Sequence, residues 1–458
     1  MADGALPGFR DFYPDDFAQR AHIFRAWREV CRRYAFVEYD GPPLEPLELY
    51  TRKSGDEIVN QLYTFTDKGG REVALRPEMT PTFARMVAAR ANSLRKPVRW
   101  FSIPQLFRYE RQQKGRLKEH FQLNVDIVGE ASELADAELL AVAIDVMREL
   151  GLTHEDVRAR VSDRRLLNAM LSEIGITEAQ RPAVYAVLDK FSRQPATASR
   201  ERLAAEGLAE GIIERVMRIP QIQSIRGLPG EFGSSKEVLS RVVHLSKYLQ
   251  HAESLGIGAW VDLDLTIVRG LAYYTGIVFE LFDVKGELRA ICGGGRYDTL
   301  LEALGGASLP ALGFGMGDVV LAELLRERGL MPASSGSGAD LFMVGGNGAL
   351  DHSIGDALKL VHLLRDAGLS VDHALNAERY LTQASRNQVD SAKKSGARAA
   401  IWFESTNTAV VQGLTGKLND APKHIFAAMP LLAGDADAIA GLKQWFDQNI
   451  PEHTRTTD

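Results

Sequence analysis

The chain has 458 residues, of which 45% are hydrophobic and 25% are charged, and its formal net charge is −6. This length predicts two or three domains, and the composition is that of a globular protein. With only Cys31 and Cys292, the sequence excludes a disulfide scaffold and a multi-cysteine zinc site. It has neither the pattern of a signal peptide nor an apolar run approaching the ~18 residues of a membrane helix. We therefore expect a cytoplasmic protein without a membrane-bound segment.

The N-terminal quarter predicts a helix, a short strand and a hairpin. Apolar residues recur at helical spacing over residues 15–34, and a strand over 36–39 leads into a proline turn. A surface helix and an element of a subunit interface fit this pattern equally well. Residues 63–67 and 72–75 flank a glycine turn and predict a hairpin. Pro77 favours a turn after the second strand, which leaves Glu78 and Thr80 at the mouth of the sheet.

Residues 107–129, FRYERQQKGRLKEHFQLNVDIVG, combine a strand, a basic loop and a second strand. In the second strand apolar and polar residues alternate, so Gln122 and Asp126 project from one face. Arginine forks on such a sheet suit phosphate, because they are planar and permanently charged. An exposed hairpin with a solvated charge run is the alternative. The basic residues on and before this loop are compatible with a nucleic-acid partner; they include Arg90, Arg95, Lys96, Arg99, Arg108, Arg111, Lys114 and Arg116.

The middle of the chain changes from helical to strand patterning. Residues 151–256 are helical in pattern and rich in charge. This segment is either an inserted module that contacts a nucleic acid or additional packing, and the sequence leaves both open. Alternation over 259–267 and an apolar run over 277–282 predict strands, and a further strand leads into CGGGRYD. Tight turns between these strands argue for an antiparallel sheet.

We predict an α+β core built on an antiparallel sheet over residues 1–330, with a helical insertion at about 160–255. Residues 331–338 form a linker by composition. Residues 339–458 predict a smaller α/β domain with a parallel or mixed sheet, because strands and helices alternate. Its predicted elements are strands at 341–344, 369–371 and 399–403 and helices at 357–367 and 378–394.

Four stretches resemble one enzyme family. FRYERQQKGRLKEHFQ resembles motif 2 of class II aminoacyl-tRNA synthetases, in the form FRYERPQKGRYREFHQ of histidine–tRNA ligases. LRPEMT resembles the family's LRPEGT. RGLAYYTGIVFE and GGGRYDTL resemble RGLDYYTGxVFE and GGGRYDGL, which other class II synthetases lack.

The resemblance implies ATP-dependent ligation of histidine to its tRNA through a histidyl-adenylate. ATP is then a substrate, with Mg²⁺ as its companion ion. It also implies a homodimer built by motif 1, formed by the first helix and strand, and a C-terminal domain that binds the anticodon.

The resemblance also assigns roles to single residues. Arg108 and Arg269 become the two catalytic cations on the α-phosphate, and Glu110 accepts from the adenine amino group. Two anions must meet in this reaction, so charge neutralisation and alignment are the main work of the site. Arg116 and Arg296 are further candidates for ATP. The residues implied for histidine are Glu78, Thr80, Gln122, Asp126, Tyr273 and Tyr274.

The sequence departs from the family most seriously at motif 3. In residues 313–321, GFGMGDVVL, Val319 and Val320 stand where the family has glutamate and an arginine for the ATP γ-phosphate. The terminal phosphates then need another cation, such as Arg116, Arg296 or Mg²⁺, or ATP activation is impaired. The departure keeps open a second reading, a silent paralogue that senses histidine like the regulatory subunit of ATP phosphoribosyltransferase. Met79, Ala272 and Thr299 are smaller departures, where the family has glycine, aspartate and glycine.

Overall fold

The structure, a computed structural model, divides into two compact units. The first comprises Met1–Phe12 with Gln19–Met331, and the second comprises Tyr13–Ala18 with Pro332–Asp458. The described residues are 4–51, 60–110, 115, 117–191, 194–225, 228, 230–233, 235–268, 274–286, 288–303, 306–332, 338–345, 353–376, 383, 385–414 and 421–450. No helix among them is both long enough and apolar enough to span a bilayer.

The described strands of the first unit form two sheets. They are β1 (Val37–Glu38), β2 (Leu44–Pro46), β3 (Tyr63–Thr66), β4 (Glu72–Leu75), β5 (Val98–Ser102), β6 (Gln105–Phe107), β7 (Glu119–Val128), β8 (Val157–Asp163), β9 (Val261–Leu263), β10 (Ile277–Asp283), β11 (Cys292–Arg296) and β12 (Ala311–Gly317).

The larger sheet has the order β1-β5-β7-β12-β11-β10-β8-β9, with β6 also paired to β7. Its central pairings, from β5 to β8, are antiparallel, and the two edge pairings β1–β5 and β8–β9 are parallel. The smaller sheet has the order β2-β4-β3. Strands β3 and β4 are the predicted hairpin, and its turn is held by Asp67, whose carboxylate accepts from the backbone N–H groups of Gly69 and Arg71.

Helices cover one face of the larger sheet. On β7, Leu123, Val125 and Ile127 are buried in a hydrophobic cluster with these helices. The prediction of strict alternation along this strand is confirmed, because Gln122 and Asp126 lie on the opposite face. We call the helix-covered side the core face and the side with Gln122 and Asp126 the site face. The described helices of the unit are α1 (Pro14–Arg33), α2 (Glu48–Thr51), α3 (Thr80–Arg90), α4 (Glu133–Glu149), α5 (Arg164–Glu173), α6 (Arg181–Leu188), α7 (Ala196–Ala205), α8 (Glu210–Arg218), α9 (Gly230–Gly233), α10 (Lys236–Ser254), α11 (Leu300–Ala303) and α12 (Asp318–Glu327).

The helical pattern predicted over residues 151–256 is wrong at Val157–Asp163, which form strand β8; between β8 and β9 the described α-helices are α5 to α10. Leu245 and Tyr248 of α10 are fully buried in the same cluster as Leu140 of α4. His244 of α10 also pairs with Glu133 at the start of α4, 2.8 Å apart. This segment therefore supplies part of the first unit's core. A contact with tRNA stays a prediction.

Strand β9 is shorter than the alternation over 259–267 predicts. It ends at Leu263, because the carboxylate of Asp264 accepts from the N–H of Thr266 at 3.0 Å. The chain turns there, with the N–H of Ile267 donating to the carbonyl of Asp264 at 3.1 Å. An aspartate side chain competes with the neighbouring strand for backbone N–H donors, and here Asp264 takes the N–H of Thr266.

The described part of the second unit is a five-stranded mixed sheet with helices. Its order is β14-β13-β15-β16-β17; the first two pairings are parallel and the last two antiparallel. The antiparallel strands β16 and β17 were not predicted. The elements are β13 (Leu341–Met343), α13 (Ile354–Asp366), β14 (Val371–His373), α14 (Ser385–Lys394), β15 (Ala399–Ser405), β16 (Thr408–Gly413), β17 (Lys423–Ala427), α15 (Ala428–Ala433) and α16 (Ala436–Asn449).

Candidate active site

The middle of the site face is lined by glycine. The register places Gly313 opposite Asp126 and Gly315 opposite Asn124, on the strand beside β7. The next strand places Gly295 and Gly293 opposite the same two glycines. Residues paired across a sheet share a face, so strands β11 and β12 present a floor without side chains. Such a floor admits a flat ligand close to the backbone.

Gln122 and Asp126 lean over this floor from β7. A Cβ atom on Gly315 would lie 2.8 Å from the Cδ atom of Gln122, and one on Gly313 would overlap Oδ1 of Asp126. Glycine is needed at both positions to leave room for these two side chains. The structure thus brings together two of the residues predicted to bind histidine.

Asp126 is buried, with 4% of its surface exposed, and the hydroxyl of Tyr297 donates to its Oδ1. Burial raises the pKa of Asp126 to about 7, although the Tyr297 hydrogen bond acts in the opposite direction. The pair combines a carboxyl group and a phenol in buried surroundings. Tyr297 was not among the predicted site residues. The sequence did contain an indication of its role, because Tyr297 is the tyrosine of the GGGRYDTL stretch.

Tyr274 lies on the same side and is 7% exposed. It shares a hydrophobic cluster with Tyr297, Phe83 of α3 and Val278 of β10. Val278 pairs with Gly295, so this cluster closes one end of the glycine floor. Tyr274 therefore packs in the same cluster as Tyr297, and its place in a pocket for histidine stays a prediction.

The LRPEMT stretch forms the turn between β4 and α3. Glu78 is 6% exposed, and α3 begins at Thr80, which is half-buried. Met79 has φ −93°, so this backbone does not need the glycine that the family carries there. Methionine therefore replaces the family's glycine here without backbone strain.

Arg108 is brought to this turn. Its Nε donates to the carbonyl oxygen of Pro77 at 2.8 Å. Nearby on β7, burial lowers the pKa of His120 to about 3, and the positive charges of Arg108 and Arg10 lower it further. The imidazole of His120 is therefore neutral at neutral pH, in surroundings with a positive potential. Such surroundings suit a phosphate group.

Arg296 does not lie where the prediction put it. It pairs with Leu312 on β12, so its side chain is on the core face. Its guanidinium donates to both carboxylate oxygens of Asp136, to Asp298 and to the carbonyl oxygens of Glu130 and Ser132. The prediction that Arg296 holds ATP is wrong, because the guanidinium is engaged within the core of the first unit.

Three predicted residues lie outside the described residues, namely Arg116, Arg269 and Tyr273. The residue before Arg269 is fixed, since Nη1 of Arg164 donates to the carbonyl of Val268 at 3.2 Å. Glu110 is half-buried two residues after Arg108, and its N–H donates to the Arg108 carbonyl at 2.8 Å. Its contact with adenine stays a prediction.

The altered motif 3 forms the end of β12 and the start of α12. Asp318 accepts from the N–H of Phe121 at 2.9 Å and pairs with Nη1 of Arg10 at 2.9 Å. Arg10 also pairs with Glu119 of β7 at 2.6 Å. Burial raises the pKa of Asp318, and Arg10 opposes that shift. The N-terminal segment thus ties motif 2 to motif 3 at this end of the sheet.

Among the described residues, no three His, Cys, Asp or Glu side chains gather as a metal site. The described part of the chain thus offers no carboxylate cage for Mg²⁺.

Comparisons with known proteins identify the relatives of this chain. Residues 8–318 match the family model described as histidyl-tRNA synthetase. A histidine–tRNA ligase of Opitutus terrae is 43% identical over 433 residues, which are 93% of this chain and 97% of that protein.

Two solved structures share the fold. One is a histidyl-tRNA synthetase from Nostoc, with a TM-score of 0.78 and 22% identity, covering 97% of this chain and 99% of that one. The other, from Bacillus halodurans, is titled an ATP phosphoribosyltransferase regulatory subunit/histidyl-tRNA synthetase. It has a TM-score of 0.71 and 22% identity, covering 88% of this chain and 98% of that one. Together with the family model and the Opitutus relative, these findings show that the chain belongs to the histidyl-tRNA synthetase family.

Proposed function

We propose that this protein ligates histidine to tRNA, using ATP and passing through a histidyl-adenylate. The observation that carries the proposal is the buried Asp126–Tyr297 pair beside the glycine floor of the site face. The 43% identity to a histidine–tRNA ligase over 93% of the chain supports the same reaction.

The floor and its neighbours suit recognition of an imidazole ring. A ring lying over Gly313 and Gly315 meets Asp126 as an acceptor, and Tyr274 closes the apolar end. A buried carboxylate left without a partner costs free energy, so a side chain without a ring N–H is rejected. Gln122, leaning over Gly315, is placed for the ammonium or carboxylate of the amino acid.

Adenylate formation brings the histidine carboxylate against the α-phosphate of ATP, and pyrophosphate leaves. Two anions approach each other, so fixed positive charge is the main requirement. Arg108, held at the Pro77 carbonyl beside Glu78, supplies one guanidinium. Arg269 supplies the other, and Glu78 and Thr80 receive the α-amino group.

The remaining roles follow from the family. The second unit binds the tRNA anticodon, and the protein acts as a cytoplasmic homodimer through the segment of α1 and β1. Deletion of residues 339–458 should spare adenylate formation and weaken tRNA charging. Unchanged charging by the shortened protein would contradict the role of the second unit.

The regulatory reading rests on Val319 and Val320 in motif 3. Purified protein separates the two functions through histidine-dependent exchange between ATP and pyrophosphate, followed by charging of tRNA. A ligase shows both activities. Histidine binding without exchange would contradict the ligase and favour a regulator.

A further inference from the structure

The missing arginine of motif 3 leaves one corner of the site without its expected cation. Its position is taken by Val320 on α12, which is half-buried and packs against the core of the first unit. Gly115 of the motif 2 loop lies directly against it, because a Cβ atom on Gly115 would be 3.4 Å from Cγ2 of Val320. An isopropyl group cannot bind phosphate, so any cation here must come from another part of the chain.

Arg289 reaches this corner from the connection between β10 and β11. Its Cδ atom is 3.9 Å from the same Cβ position on Gly115, and the residue is exposed. Its backbone is fixed from both sides, because Leu288 is buried and the N–H of Ile291 donates to the carbonyl of Leu281 at 2.8 Å. The chain here is also tied to β12, since the N–H of Gly317 donates to the Ile291 carbonyl at 3.4 Å.

Three other cations considered for this corner have described contacts or positions of their own. Arg10 bridges Glu119 and Asp318. Lys118 lies over the ring of Tyr109, with its Nζ 4.4 Å from the centroid. Arg296, an earlier candidate, is on the core face. The side chain of Arg289 passes close to Val320, the position of the family's arginine, because both contact the same Cβ position on Gly115.

We propose that Arg289 binds the terminal phosphates of ATP in place of the motif 3 arginine. Its guanidinium offers the same planar, permanently charged fork, delivered from the connection between β10 and β11 instead of from α12. The Oε2 atom of Glu323 lies 3.9 Å from the same Cβ position, so a carboxylate is also present at this corner. The inference rests on the proposed function, because it assigns a residue to the ATP of that reaction.

The test is histidine-dependent ATP–pyrophosphate exchange on full-length Arg289→Ala. Loss of a charged hydrogen-bond donor to phosphate should raise KM for ATP by ~10–100-fold. KM for histidine should stay at the wild-type value. Inhibition by AMP should also be unchanged, because AMP lacks the terminal phosphates. Lys285→Ala is the matched control, since it removes one exposed positive charge from the same connection.

A second variant returns the cation to its family position. Val320→Arg in the Arg289→Ala background should restore most of the affinity for ATP. An ATP KM in Arg289→Ala equal to that of Lys285→Ala would overturn the assignment, as would equal weakening of ATP and AMP. Wild-type protein without any histidine-dependent exchange would instead overturn the proposed function.

Discussion

The two faces of the central sheet use neighbouring residues for opposite purposes. On the core face, Arg296 is 2% exposed and is held by Asp136 of α4. On the site face, the next residue, Tyr297, donates to Asp126 above a floor of glycine. Arg296 and Tyr297 are adjacent in the chain, so their side chains enter opposite faces of the sheet within a single residue. The face of the sheet on which a charged motif residue lies, and not its residue type, therefore decides whether it serves the reaction or the fold.

The largest expected effect is on the core face. Arg296→Ala leaves Asp136 buried without its partner, so we expect a loss of ~3–5 kcal/mol in the free energy of unfolding. Urea denaturation measures this loss. Arg200→Ala, which breaks pairs with Glu210 and Glu214 at the protein surface, is the control and should change the free energy of unfolding little. A stable Arg296→Ala protein with a raised KM for ATP would reverse our assignment of this arginine.

Arg108→Ala should show the converse behaviour. Removing a positioned donor from a developing charge lowers the rate of exchange by ~10²–10³-fold. Because Arg108 is half-buried and makes its described side-chain contact with one carbonyl, the unfolding free energy should fall by ~1 kcal/mol. Single-turnover adenylate formation and urea denaturation together check both parts. Near-normal adenylate formation would remove Arg108 from the site.

A matched pair of glycine substitutions compares the faces directly. A Cβ atom on Gly294 would lie 2.6 Å from the Gly313 carbonyl and overlap Phe314, so Gly294→Ala should cost ~1–3 kcal/mol of stability. A Cβ atom on Gly315 would meet the movable end of Gln122 instead. Gly315→Ala should therefore raise KM for histidine while the melting temperature changes little. Equal losses of stability in the two variants would contradict the distinction between the faces.

The last prediction concerns the pH dependence of stability. The pKa of Asp126 is raised from 3.8 to about 7 in the folded protein, so the protonated form favours the fold. This contribution is complete below about pH 4 and is lost as the pH rises through about 7. Asp126→Asn removes it, so the difference in unfolding free energy between wild type and variant should change across that range and level off above it. A difference that stays constant from pH 4 to 8 would show that Asp126 titrates normally.

Much of the site was predictable because strand periodicity is local. Alternation along β7 placed Gln122 and Asp126 on one face without knowledge of the partner strands. The hairpin of β3 and β4 was predictable for the same reason, since its turn carries Asp67 and two glycines. Motif resemblance added the turn of Glu78 and Thr80, and the structure sets it beside Arg108.

The remainder depends on pairing register, which a single sequence does not reveal. Whether Arg296 or Tyr297 faces the ligand is decided by which residue of β12 lies opposite, here Leu312 for Arg296. Strand β9 was predicted too long because the hydrogen bond from Thr266 to Asp264 competes with the ladder. The proximity of Arg289 to Val320 joins segments without a shared motif, so no pattern in the sequence indicated it.

The central claim is that histidine and ATP meet on the site face. A crystal structure with ATP and histidinol, which lacks the reactive carboxylate, tests it most directly. We predict the imidazole within hydrogen-bonding distance of Asp126 above Gly313, the α-phosphate against Arg108 and the terminal phosphates against Arg289. Ligands bound elsewhere, or an imidazole without contact to Asp126 or Tyr297, would contradict the account.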